Sequence, residues 1–195
     1  MSVTRRISQL LRTLYLRMLR RQESARTREI ADVLQHVALF NGLPRSVLRE
    51  IAEIVHTRDY RRDEIFFYEN DPGLGFYVVQ RGRVRLYVED EAGNAREVRQ
   101  ITKHECLGTL SLFGQSRRLA TAQAVTETRV LGFFITDLQS LLRRRPSVAA
   151  TVLFAIAGRL SVLYQTVLWG LPPDEGRLAA LRLMASQPEE NSEDR

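Results

Sequence analysis

The chain has 195 residues, 44% of them hydrophobic and 27% charged, with a net charge of +6, which suits one soluble domain with a sizeable core and additional helices. Its single cysteine, Cys106, excludes an intramolecular disulfide and fits a reducing cytoplasm. The arginine-studded N-terminus lacks the unbroken apolar stretch of a secretory signal.

Charge is unevenly placed. Residues 1–36 hold eight arginines against Glu23, Glu29 and Asp32, whereas residues 172–195 hold three arginines against six acids. Residues 4–21 predict an amphipathic helix, with Ile7, Leu10, Leu11, Leu14, Tyr15 and Met18 on one face and Arg5, Arg12, Arg17 and Arg20 opposite. Three uses suit such a helix: packing on the domain or a dimer mate, lying on an anionic membrane surface, or touching a nucleic-acid backbone without sequence preference. A second helix is expected over 27–37, leaving near Asn41-Gly42. Pro44 opens a third over 45–55 with Val47, Leu48, Ile51, Ile54 and Val55 inward.

From Tyr60 the hydrophobic period becomes two. Short β-rich runs at 65–68, 76–79, 84–88, 96–101, 120–125 and 128–134 alternate with turn chemistry at Asn70-Asp71-Pro72-Gly73, Arg81-Gly82 and Ala92-Gly93-Asn94. That pattern predicts a β-barrel or double-sheet roll. Residues 147–169 then read as one long helix in which Leu153, Ile156, Leu160, Leu163 and Val167 follow the 3-4-3-4 spacing of a coiled-coil seam. Other faces are apolar as well, which calls for burial on more than one side. Arg159 at the middle, costing about 2.5–3.5 kcal/mol at a bilayer centre, favours a dimer helix over a membrane span. The Pro-Glu-Glu-Asn-Ser-Glu-Asp-Arg ending reads as a disordered, solubilising tail.

Between two strands lies Leu107-Gly108-Thr109-Leu110-Ser111-Leu112-Phe113, followed by Arg117-Arg118-Leu119-Ala120-Thr121-Ala122. A glycine turn leading into a helical turn, with a guanidinium shortly after, has the ingredients of an anion pocket. No nucleophile with a nearby base is visible, so no catalysis is expected. Asp71 and Glu69 sit in a turn where carboxylates cap N–H groups. His104 and Cys106 have the spacing of one strand face, but two ligands make a poor metal site and none is expected.

The segment resembles the phosphate-binding cassette of cyclic-nucleotide-binding domains. The resemblance extends to Val37-Ala38-Leu39-Phe40-Asn41-Gly42-Leu43-Pro44, to Asp63-Glu64-Ile65-Phe66 with Glu69-Asn70-Asp71-Pro72-Gly73, and to the hairpin Tyr77-Val78-Val79-Gln80-Arg81-Gly82-Arg83-Val84. It continues through Leu141-Leu142-Arg143-Arg144-Arg145-Pro146 and Ala157-Gly158-Arg159-Leu160. It implies a mainly β fold, an eight-stranded jelly-roll barrel with N-terminal helices and a long C-terminal dimerisation helix. The domains would be a basic extension over 1–29, a cyclic-nucleotide-binding-like domain over 30–170, and a short helix with an acidic tail over 171–195.

The resemblance also implies site roles. Arg118 would meet the cyclic phosphate of cAMP or cGMP, with Gly108, Leu110, Ser111, Leu119 and Ala120 around it. Thr109 would stand on the ribose side, and Leu163 and Tyr164 on the base side. Two positions depart from the family pattern: Thr109 replaces a glutamate that accepts from the ribose, and Leu119 replaces a hydroxyl donor. Each lost partner costs about 0.5–3 kcal/mol, depending on charge.

The layout is nearest to catabolite-activator-type transcription factors. Gly176-Arg177-Leu178-Ala179-Ala180-Leu181-Arg182-Leu183-Met184-Ala185 resembles the first helix of their winged helix-turn-helix, after which the recognition helix and wing do not follow. This argues against sequence-specific DNA binding. The expected function is a stand-alone regulatory module, homodimeric through 147–169, that senses a cyclic nucleotide or other small anion and signals to an unknown protein partner. The alternative is a ligand-free dimeric interaction or membrane-surface scaffold, cytoplasmic and peripheral at the membrane through residues 4–21.

Overall fold

A computed structural model of the chain describes residues 25–112, 116–172, 176 and 180. The helix expected over 4–21 and nearly all of 171–195 lie outside the described residues.

The first described element, α1, is helical over 25–35. It buries Ile30, Ala31 and Leu34, the i, i+1, i+4 set of one helix face. A short 3-10 turn, Ala38–Phe40, leads to α2 (Arg45–Ile54), which begins after Pro44 and buries Val47, Leu48, Ile51 and Ala52.

Eight strands follow: β1 (His56–Tyr60), β2 (Ile65–Phe67), β3 (Gly75–Arg81), β4 (Val84–Glu89), β5 (Ala95–Ile101), β6 (Cys106–Leu107), β7 (Thr121–Ala124) and β8 (Thr128–Phe134). They form two antiparallel four-stranded sheets, ordered β1-β8-β3-β6 and β2-β7-β4-β5. Apart from the β4–β5 hairpin, which stays within one sheet, chain neighbours pass from one sheet to the other, which is jelly-roll topology and matches the expected fold.

Strand β3 is buried on both faces, and the period of two separates its partners. Tyr77 and Val79 join Tyr60, Val84, Ile101, Leu107, Ala122, Ala124 and Val130 in the barrel core. Phe76 and Val78 face the other way, where Phe76 lies 5.4 Å from Phe133 and 6.2 Å from Phe40, centroid to centroid.

After the barrel come α3 (Ile135–Arg144) and α4 (Pro146–Gly170). The sequence reading saw residues 141–146 only as a connection. The helix α3 is amphipathic, burying Leu138 and Leu141. Asp137 Oδ2 accepts from the Phe134 N–H at 2.9 Å, and its Oδ1 pairs with His56 Nε2 at 3.0 Å. Strand β1 was also unforeseen, because all of it except Tyr60 is exposed. Pairing with β8 holds it there, reinforced by a bidentate Arg129–Asp59 bridge at 2.7 and 2.8 Å. The Arg129 hydrogen bonds hold the Asp59 carboxyl below its ordinary pKa.

His104 does not share a strand face with Cys106. It occupies a turn at φ +69°, ahead of β6, and stacks on His36 with centroids 5.0 Å apart.

The chain divides into two packed units, Met1–Leu153 and Phe154–Arg195, and α4 runs from the first into the second. The first two turns of α4 bury Ala149 and Val152. In the second unit, Phe154, Val162, Leu163, Tyr164, Val167 and Trp169 are all exposed. At 25 residues, with a mean hydropathy of 1.7 over its most apolar 18-residue stretch, α4 is long and apolar enough to cross a membrane.

Candidate functional site

Two stretches far apart in sequence are laced together to present Arg118. The Arg118 N–H donates to Asp71 O and the Asn70 N–H to Arg118 O, both at 2.9 Å. The Gly73 N–H donates to Ser116 O at 3.0 Å, and Pro72 bridges Arg117. The turn at 68–73 is itself braced by the Asp71 carboxylate, which accepts from the Tyr68 N–H at 2.8 Å, an Asx-type contact. Thr121 Oγ1 accepts from the Glu69 N–H at 3.0 Å, so the turn is also fixed to the start of β7.

The Arg118 side chain runs inward and is 6% exposed. Nη2 donates to Gly75 O at 2.8 Å and Nη1 to Gly108 O at 3.3 Å. The guanidinium carbon lies 4.1 Å from the centroid of the Phe67 ring, a cation–π contact. Burial lowers the pKa of this arginine, while Tyr77 and the Asp71 carboxylate pull it upward. A guanidinium ordinarily titrates so high that Arg118 keeps its charge at neutral pH. A buried charge is tolerated only when hydrogen bonds replace its water, and the two carbonyls do that here.

The guanidinium forms part of the wall of a cavity of about 250 Å³. The remaining walls are Phe67, Leu86, Arg99, Ile101, Cys106, Leu107, Gly108, Thr109, Leu110, Arg117, Leu119 and Ala120. Gly108 follows β6 directly, which pairs with β3 through Tyr77–Leu107 and Val78–Cys106; this brings the loop over Gly75. Burial pushes the Cys106 thiol up to about 12, so it lines the cavity as a neutral group.

Of the residues named from sequence, Gly108, Thr109, Leu110, Arg118, Leu119 and Ala120 are gathered on this cavity. Leu110 and Leu119 are 53% and 73% exposed. Ser111 falls in the 3-10 turn Thr109–Leu112, and its side chain lies outside what is described. Leu163 and Tyr164 belong to the second unit, where both are exposed. The sequence reading missed Arg99, Arg117 and the apolar walls Phe67, Leu86 and Ile101. Strand parity offered a signal for the last two, since both face the barrel interior. Nothing local marked Arg99, which lies within β5 opposite Leu86 and pairs its side chain with Glu105.

The conserved-domain comparison agrees with this geometry. The cyclic nucleotide-binding domain family matches residues 57–145. The N-terminal domain of a transcriptional regulator from Streptomyces coelicolor is similar at 34% identity and a TM-score of 0.62, over 67% of this chain and 94% of that one. The chain belongs to the cyclic nucleotide-binding domain family. The cyclic AMP receptor protein of Thermus thermophilus is 33% identical over 63% of this chain and 56% of its own length. The solved Thermus thermophilus catabolite activator protein gives 30% identity and a TM-score of 0.56, over 67% of this chain and 61% of that one. This cyclic nucleotide-binding domain therefore spans little more than half the length of the curated regulator it matches.

Proposed function

We propose that the chain is a non-catalytic regulatory module whose cavity beside Arg118 takes a small anion and whose response leaves through α4. The observation that carries this reading is a buried arginine held rigidly at a cavity wall by the carbonyls of Gly75 and Gly108. Such a charge is oriented before any ligand arrives, which reduces the ordering cost of binding. Among anions, the family makes cAMP or cGMP the first candidates. Their phosphate would meet Arg118 with Gly108, Leu110, Ser111, Leu119 and Ala120 around it, the ribose would face Thr109, and the base would face Leu163 and Tyr164.

The exposed apolar residues of α4 support a homodimer through 147–169, working in the cytoplasm with a protein partner downstream. A second reading, a ligand-free dimeric scaffold, is favoured by one observation: Leu119 stands 73% exposed where a phosphate donor is expected.

Calorimetry on the full chain with cAMP, cGMP, phosphate and simple carboxylates separates the two. The regulatory reading predicts saturable heat from at least one anion, weakened about tenfold or more in Arg118→Gln, as befits a lost charged hydrogen bond of about 1.5–3 kcal/mol. Absence of Arg118-dependent heat from every anion at millimolar concentration would leave the scaffold.

A further inference from the structure

We infer that His36 and His104 form a pH-sensitive clasp, which at neutral pH holds the end of α1 against the turn leading into the cavity strand β6 and which opens in acid. The two rings lie nearly parallel, 18° apart in plane, with centroids 5.0 Å apart. His36 directly follows α1, and its Nδ1–H donates to Asp32 O at 2.8 Å. His104 sits in the turn 102–105 at φ +69°. That turn is pinned to β3, because the His104 N–H donates to Val79 O at 2.8 Å and the Val79 N–H to Glu105 O at 3.0 Å. Cys106 and Leu107 follow at once as β6, and Gly108 and Thr109 then line the cavity. The clasp operates whatever the cavity binds.

Neutral imidazoles stack as aromatic faces do. One proton on the pair is tolerated, since a cation can lie on an aromatic face; a second meets like charge 5.0 Å away. The charged groups nearby are of the same sign or engaged elsewhere. Lys103 adjoins His104 and adds positive charge. Asp32 accepts from Arg45 at 2.5 Å, and Glu29 accepts from Gln80 Nε2 at 3.0 Å. Glu105 accepts from the Thr102 N–H and hydroxyl at 2.7 and 2.9 Å and from Arg99. On β3 and β8, Arg81 and Arg129 both turn to Asp59. Burial, Lys103 and His36, in that order, hold the His104 imidazole below its ordinary pKa. Because His104 titrates lower in the closed clasp than when freed to water, closure is fully favoured above about pH 6.5 and is lost as the pH falls from there through the lowered value.

The chain carries three histidines, His36, His56 and His104, so side-chain NMR on the full chain follows each titration. His56, held by Asp137, serves as the site outside the clasp. Removing a unit charge 5.0 Å away corresponds in water to about half a pH unit. His36→Gln is therefore expected to raise the His104 midpoint by about that much and to leave His56 unchanged. Amide exchange, corrected for its intrinsic pH dependence, reads the opening. Protection over 33–37 and 102–105 falls about threefold or more between about pH 7.5 and 5.0 in the wild type, as a shift of that size requires. The fall is absent in His36→Gln and in His104→Asn, and asparagine tolerates the left-handed backbone at 104, so the second variant keeps the turn.

A His104 midpoint at the ordinary histidine value that His36→Gln does not move would overturn the clasp. So would protection over 33–37 and 102–105 that does not change with pH. A fall that persists undiminished in both variants would overturn it as well, since its cause would then lie outside the pair.

Discussion

A Cβ at position 108 would stand 2.1 Å from Arg118 Nη1, on a backbone held at φ +78°. Two separate constraints therefore ask for glycine there: the left-handed conformation and the room taken by the guanidinium. Gly42 supplies the comparison, since its φ is +84° but nothing lies within 4 Å of its would-be Cβ. Gly42→Ala is expected to cost about 1 kcal/mol of stability, the conformational term alone. Gly108→Ala is expected to cost about 2 kcal/mol or more, lowering Tm by about 4–8 °C, because Arg118 must also leave its carbonyls. Calorimetric melting of both variants checks this, and equal losses would mean that the guanidinium yields without strain. At this scale the sequence was readable where partners are near in the chain. Arg118 could be singled out beside the Gly108 turn. Its bond to Gly75, 43 residues away, and its seat on Phe67 could not, because nothing at those positions signals that β3 and β2 converge there.

Elements that bury a run of apolar residues were the ones that could be read from the sequence. The strands that became β3, β4 and β8 carry enough apolar residues to show it, and α2 follows from Pro44 and its Val47-Leu48-Ile51 stripe. Strand β1 was illegible for a physical reason. His56, Thr57, Arg58 and Asp59 are exposed, so what places them is backbone pairing to β8 and the Asp59–Arg129 bridge rather than burial. The two-residue β6 is too short to carry a period at all. Helix α4 was legible, and its exposed Leu163 and Val167 lie on the seam predicted from spacing. Apolar residues left in water at that spacing favour association with a second helix of the same kind. Light scattering should give twice the monomer mass for the wild type and the monomer mass for Leu163→Glu/Val167→Glu, with the barrel still folded by circular dichroism. A monomeric wild type would remove the dimer from the account.

Across the barrel, the sheet orders β1-β8-β3-β6 and β2-β7-β4-β5 explain how one cavity arises from residues spread over positions 67–120. The roll brings the β2–β3 turn, β6 and the segment before β7 to one place, and the laced backbone of 68–73 and 116–118 keeps them there. Family membership was visible because several weak motifs occur in the right order, most of them marking a turn of this topology. The cavity was less visible, because it depends on wall residues such as Phe67, Leu86 and Arg99 that only the closed barrel assembles. The same continuity gives the module its proposed output: α4 starts in the barrel unit and ends in the second one, so a change at its base is carried along one helix.

Hydrogen–deuterium exchange on the full chain, with and without saturating cAMP and separately cGMP, tests that claim most directly. The account predicts slower exchange over 107–112 and 116–120 together with altered exchange over 154–170, both abolished in Arg118→Gln. Protection confined to the cavity, with 154–170 unchanged under every ligand, would contradict it.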